Sequence, residues 1–294
     1  MPKKIIKGIW KAAVNTVNHD GIEHAGYLAF LGLLAMFPFL VFVFSIVGLA
    51  GQGETGAAFI KTLLQSLPYS VSSALEPRIN EIISGPPQGL LTISILGAIW
   101  TASSAVEGLR TVLNRAYHVG TPPAYWFRRS LSVLQLFIFT SILIGGMILL
   151  LAVPFVLDYL QSFTKLRITP NDEASLHNMF MLLSIGFIFL SVCCIYYLIP
   201  NIKQSLLAVV PGAIIVVGLW IFAAGLFASY LANFDQVNLI YGSLGGIIAA
   251  LLFFYICNII FIFGAELNYQ IVQIRGERVI QREAAPAPAE DITA

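Results

Sequence analysis

A chain of 294 residues that is 58% hydrophobic and only 11% charged, with a mean hydropathy of +0.84, carries more apolar surface than a soluble core can hide. This excludes a water-soluble domain and requires a bilayer. A net charge of +1 supplies no basic field for nucleic acid, and Cys193, Cys194 and Cys257 all fall inside apolar stretches, without a disulfide framework or zinc spacing.

Residues 1–21 do not read as a cleavable signal. Ile6, Ile9, Trp10, Ala13 and Val17 recur at helical spacing opposite Lys4, Lys7 and Lys11, with no continuous apolar core. The pattern predicts an amphipathic helix lying on the cytoplasmic membrane surface. A basic tail that only fixes topology is the other reading.

The first span is predicted near 26–50. Pro38 in its middle removes a backbone hydrogen bond and should kink it. Residues 54–89 hold two amphipathic stripes separated by Pro68, which predict two short helices on the outer surface, serving as a cap or a lipid contact.

The second span, near 88–106, continues as a helix beyond its apolar zone, because no breaker occurs before Gly120. Gly97, Trp100, Ser104, Glu107, Thr111, Asn114 and His118 share one face, with Ser103 and Arg110 beside it, and the helix runs on through Arg115. Glu107 and Arg110 are three apart and can pair. This polar stripe is either the lining of a pathway or an interhelix salt bridge at the membrane boundary.

Further spans are predicted near 131–157, 177–199, 206–232 and 240–265, with residues 22–270 forming the transmembrane domain and 271–294 a cytoplasmic tail that is disordered at its end. The sixth span carries Asn258 inside it and delivers Glu266 and Asn268 to the cytoplasmic side. Gly242, Gly245 and Gly246 at its outer end should permit close helix contact or local unwinding. With the N-terminus inside, twelve basic residues face the cytoplasm and only Lys61, Arg78, Lys165 and Arg167 face out. The predicted fold is an all-α six-transmembrane-helix bundle, N-in and C-in, with short amphipathic surface helices.

Three stretches carry a resemblance: AGYLAFLGLLAMFPFLVFVFSIVGL at 25–49, ILGAIWTASSAVEGLRTVLNRAYHV at 95–119, and 199–270 with IPN, VPGA, LW, YGSLGG and FGAELN in order. Together they resemble the YihY/virulence factor BrkB family of bacterial inner-membrane proteins. Members of that family have been labelled ribonuclease BN, serum-resistance factors, and transporters or lipid exporters.

The nuclease label fails on chemistry. His19, His24, His118 and His177 are scattered in sequence, with no HxHxDH-like cluster and no paired carboxylates at ligand spacing. GxSxG is absent, and YGSLGG lacks the lysine of a phosphate-binding loop. No catalytic residue, metal or cofactor is therefore expected.

Two readings remain. The first is a transporter or exporter of a lipid or small solute without its own ATPase, using Glu107, Arg110, Asn114, Arg115, Asn258, Glu266 and Asn268 as a polar pathway. The second is a non-transporting envelope scaffold in which the same residues lock helices. Membrane lipids are the expected partners, nucleic acid is not, and homo-oligomerisation stays open. Glu107, Arg110, Asn114 and Glu266 are further expected to form one cluster at the cytoplasmic mouth, with an arginine bridging the two carboxylates.

Overall fold

A computed structural model of the chain describes residues 2–50, 88–119, 125–164, 170–232, 244–276 and 279–282. The expected surface helices within 54–89, Gly242, and the far end of the tail lie outside the described residues. Among the described residues seven helices form: α1 Pro2–Asn18, α2 Gly21–Ala50, α3 Gln88–Ala116, α4 Tyr125–Thr164, α5 Pro170–Leu198, α6 Leu206–Ala232 and α7 Leu244–Ile274.

The protein is an all-α membrane protein. Among the described residues, four stretches are long and apolar enough to cross a bilayer, namely Tyr125–Gly146, Asn178–Leu198, Leu206–Leu231 and Gly245–Ile274. At 1.5 Å per residue, the 21 residues of the shortest already reach about 30 Å. Helix α2 contributes a shorter apolar piece, Gly21–Met36, and keeps Pro38 inside it.

Helices α2 to α7 touch in a closed cycle, each packing on the next and α7 returning to α2, while α7 also meets α3 and carries α1 on its flank. The main core lies between α3, α5, α6 and α7, where Leu113, Tyr117, Val192, Tyr196, Val209 and Val216 are fully or almost fully buried. Buried polar groups there find backbone acceptors. Tyr196 donates to Phe261 O at 2.5 Å and Trp220 Nε1 to Cys257 O at 2.9 Å, so the rings stack without orphaned polar atoms.

Close approach between α6 and α7 rests on Gly212 and Gly264. A Cβ at Gly212 would collide with Gly264 O and the Asn268 side chain, and one at Gly264 with Val216 and the Tyr196 hydroxyl. The expectation had placed close contact at the outer end of this span. Gly245 is buried, and Gly246 is exposed, with nothing within 4 Å of where a Cβ would stand.

Helix α1 packs by its small residues. Gly8, Ala12 and Thr16 are buried, with Ile274 of α7 lying over Gly8, whereas Ile6, Trp10 and Val17 are exposed. An apolar stripe left bare in this way needs an apolar medium beside it. Among the described residues one departure from all-helical structure occurs. Residues Ile202–Lys203 (β1) and Ile280–Gln281 (β2) pair antiparallel, and Arg282 donates to Ile202 O, Tyr197 O and, through its backbone, Asn201 O. The near part of the tail is thus tied to the end of α5.

Candidate functional site

Helix α3 carries the polar stripe against α4. Glu107 Oε2 lies 3.5 Å from Arg110 Nε one turn on, its Oε1 lies 3.3 Å from Arg128 Nε, and Ser132 donates to it at 2.8 Å. Arg110 also donates to Gln135 Oε1, and Gln135 Nε2 passes the chain on to Leu198 O at 2.7 Å. Arg129 reaches Ser104 Oγ and Trp100 O and sits 4.0 Å over the Trp100 ring. Sequence reading missed Arg128, Ser132 and Gln135. Their spacing of four and three residues on an apolar helix was the available signal.

Burial draws the Arg110 proton affinity below the ordinary guanidinium value, with Arg128 and Arg282 adding to the fall and Glu107 opposing it. An arginine nonetheless stays charged at neutral pH. Beside it opens a cavity of about 380 Å³ lined by Arg110, Arg115, Arg128, His24, Thr111 and Asn114. Burial, and then Arg115, hold the His24 imidazole below its ordinary value, so it presents a neutral ring at pH 7. Arg115 pairs with Asp20 in the α1–α2 turn, and both side chains are about half exposed. Three guanidiniums against Glu107 and Asp20 leave a positive balance at this cavity, suited to an anionic group.

Asn114 turns elsewhere, accepting the Asn201 N–H at 2.8 Å and so fixing the loop after α5. Asn258 bonds back to Phe254 O at 2.8 Å within its own helix and joins no cluster. Asn268, fully buried, accepts the Gly212 N–H at 2.7 Å and donates to Val209 O and the Tyr117 hydroxyl. Burial pushes the Tyr117 phenol well above its ordinary value, with the hydrogen bonds from Asn268 and Gln204 opposing the rise, so it stays neutral.

Glu266 is also fully buried, yet its neighbours are of another kind. His19 Nδ1 lies 2.9 Å from Oε1, His118 Nε2 3.6 Å from Oε2, and Asn15 Nδ2 3.5 Å from Oε2. The expected arginine bridge is therefore corrected: among the described residues Glu266 pairs with no arginine. Arg110 is engaged by Glu107 and Gln135 and Arg115 by Asp20, all nearer on their own faces. The histidines, scattered in sequence, are here partly gathered. His19 and His118 converge because each lies just past a helix end, one residue beyond α1 and two beyond α3, at the level where α7 presents Glu266.

His118 occupies the C′ position of α3 with φ 55°, while His118 N bonds Arg115 O and Val119 N bonds Asn114 O. Glycine is the usual residue for this conformation, and a histidine there costs on the order of 1 kcal/mol. His19, His118 and Glu266 each offer a donor atom within 4.8 Å of the others, the one such three-ligand group among the described residues.

Comparison with known proteins places these features in a lineage. The sequence model of the family described as virulence factor BrkB matches residues 12–288. A Bacillus subtilis protein, YfkH, whose name describes it as ribonuclease-like, is 27% identical over 85% of this chain and 90% of its own length. A UPF0761 membrane protein of Aliivibrio fischeri is 28% identical over 88% of this chain and 82% of its own. Another, from Vibrio vulnificus, is 26% identical over 94% and 83%. No solved structure matches the chain significantly.

Proposed function

Because the chain belongs to the virulence factor BrkB family of membrane proteins, we propose that it is a multi-pass transporter or exporter of a lipid or small solute bearing an anionic group. It works without an ATPase of its own. The cavity beside Arg110, Arg115 and Arg128 carries this reading, since gathering three guanidiniums, with that of Arg110 buried, around free volume is costly and an anion visiting it would offset that cost. Six spans with both termini in the cytoplasm of a bacterial inner membrane accord with the distribution of basic residues. In that orientation the cavity opens inward, where Glu107 balances the arginines when no anion is bound. The ribonuclease-like wording belongs to the Bacillus relative and has no counterpart in the family description.

A scaffold is the second reading, favoured by the polar groups already committed to interhelix locks: Arg129 on Trp100 O, Gln135 on Leu198 O and Asn268 on Gly212 N. Reconstitution separates the two. Liposomes holding the purified protein are assayed for scrambling of fluorescent anionic and zwitterionic lipids and for efflux of small organic anions. Anion-selective movement of either class, absent from protein-free vesicles, is the expected result. Tight vesicles containing folded protein would favour the scaffold.

A further inference from the structure

We infer that His19, His118 and Glu266 bind a divalent transition-metal cation of the zinc class, a site independent of the transport reading. A carboxylate 0% exposed needs a counter-charge, and among the described residues neither arginine nor lysine supplies one. Two imidazoles and a carboxylate are the donors that borderline divalent metals take. Tetrahedral ligands at about 2.0–2.1 Å from zinc lie about 3.3 Å from one another. The observed separations from Glu266, 2.9 Å to His19 Nδ1 and 3.6 Å to His118 Nε2, bracket that value. The longer one is no hydrogen bond. His19 on one oxygen and a long contact from Asn15 on the other give this buried carboxylate fewer hydrogen bonds than its two oxygens can accept, whereas a cation between the three ligands would engage all of them.

The surroundings hold the donors in place. The His118 ring is gripped edge-on by His19 at 4.5 Å and faces Tyr269 at 4.2 Å, and its backbone takes a conformation that glycine would adopt more readily. Asn15 approaches the second carboxylate oxygen as an outer partner. Both imidazoles are about one-third exposed, so a cation has an entry path. On the His118 side a cavity of about 260 Å³, reached past Tyr117, Tyr269 and Gln273, leaves room for water or another donor at a fourth position. The three ligands come from the turn after α1, the turn after α3 and the end of α7. An occupied site would staple the amphipathic helix to the bundle.

The test uses full-length protein in detergent, freed of its affinity tag, stripped with EDTA and titrated with Zn²⁺ or Co²⁺. One zinc per chain should survive gel filtration, Co²⁺ should develop visible bands of a low-coordinate nitrogen–oxygen site, and excess Zn²⁺ should raise Tm by on the order of 5 °C. His19→Ala and His118→Gly, the latter keeping the backbone conformation, should each weaken binding by about 100-fold, the upper range for loss of even an outer partner. Their unchanged elution volume shows that they fold. Wild type binding no zinc at stoichiometric level, or both variants binding as tightly as wild type, would overturn the site.

Discussion

Glu266 and Asn268 are two residues apart on one helix and equally buried, yet their surroundings differ in kind. Asn268 spends its oxygen on Gly212 N–H and its nitrogen on Val209 O and Tyr117, against helices held close by glycines. Glu266, on the opposite side of α7, meets histidines that are about one-third exposed, at uneven distances. Completeness distinguishes the two roles: a satisfied buried polar group locks helices, and an incompletely satisfied one is a place for a ligand.

The locked side should break hardest. Gly212→Leu drives a branched side chain into backbone and into Asn268, so it should cost at least about 3 kcal/mol and show as lost monodisperse expression. Gly246→Leu, facing open space at the other end of α7, should melt within a few degrees of wild type. Equal sensitivity of the two glycines would erase the distinction. Next in size, Asn268→Leu orphans the Gly212 N–H and Val209 O at a cost of about 1–3 kcal/mol, read by thermal melting in detergent.

At the α3–α4 seam, Glu107→Gln leaves Arg110 and Arg128 less compensated. Because the Glu107 side chain is 18% exposed, solvent softens the loss to about 1–2 kcal/mol. Adding Arg128→Gln should recover part of it, and strict additivity would contradict a shared charge balance. The smallest effect concerns His24. Its folded-state value is depressed, so its contribution to stability is present above the ordinary imidazole value of about 6.5 and is lost as pH falls through the lower folded value. His24→Gln should flatten the Tm profile slightly below that pH; an unchanged profile would show that His24 is not held neutral.

Much of this was legible in the residues. The run past Val106 with no breaker before Gly120 foretold that α3 continues to Ala116, and the three-residue step foretold the Glu107–Arg110 pair. Membrane depth singled out Glu266 as a polar group near helix ends. Its partners were not legible, because charge balance alone favours arginine, whereas the helix phases bring nearer acceptors to Arg110 and Arg115 and turn Glu266 toward α1. His19 and His118 gave no local pattern, since their meeting depends on how α1 and α3 end beside α7. The close contact between α6 and α7 was not legible for a related reason: YGSLGG is conspicuous as a string, whereas isolated Gly212 and Gly264 have roles that exist only across α6 and α7.

The central claim, that the arginine-lined cavity handles an anionic group in transit, is tested most directly by pairing flux with stability in Arg115→Gln. Arg115 lines the cavity, yet its side chain is 50% exposed and its ion pair with Asp20 contributes little to folding. Anionic lipid or solute flux in reconstituted vesicles should fall about tenfold, the loss of about 1.4 kcal/mol of anion stabilisation, with Tm within about 2 °C of wild type. Undiminished flux in that variant, or no anion flux from folded wild-type protein, would contradict the account.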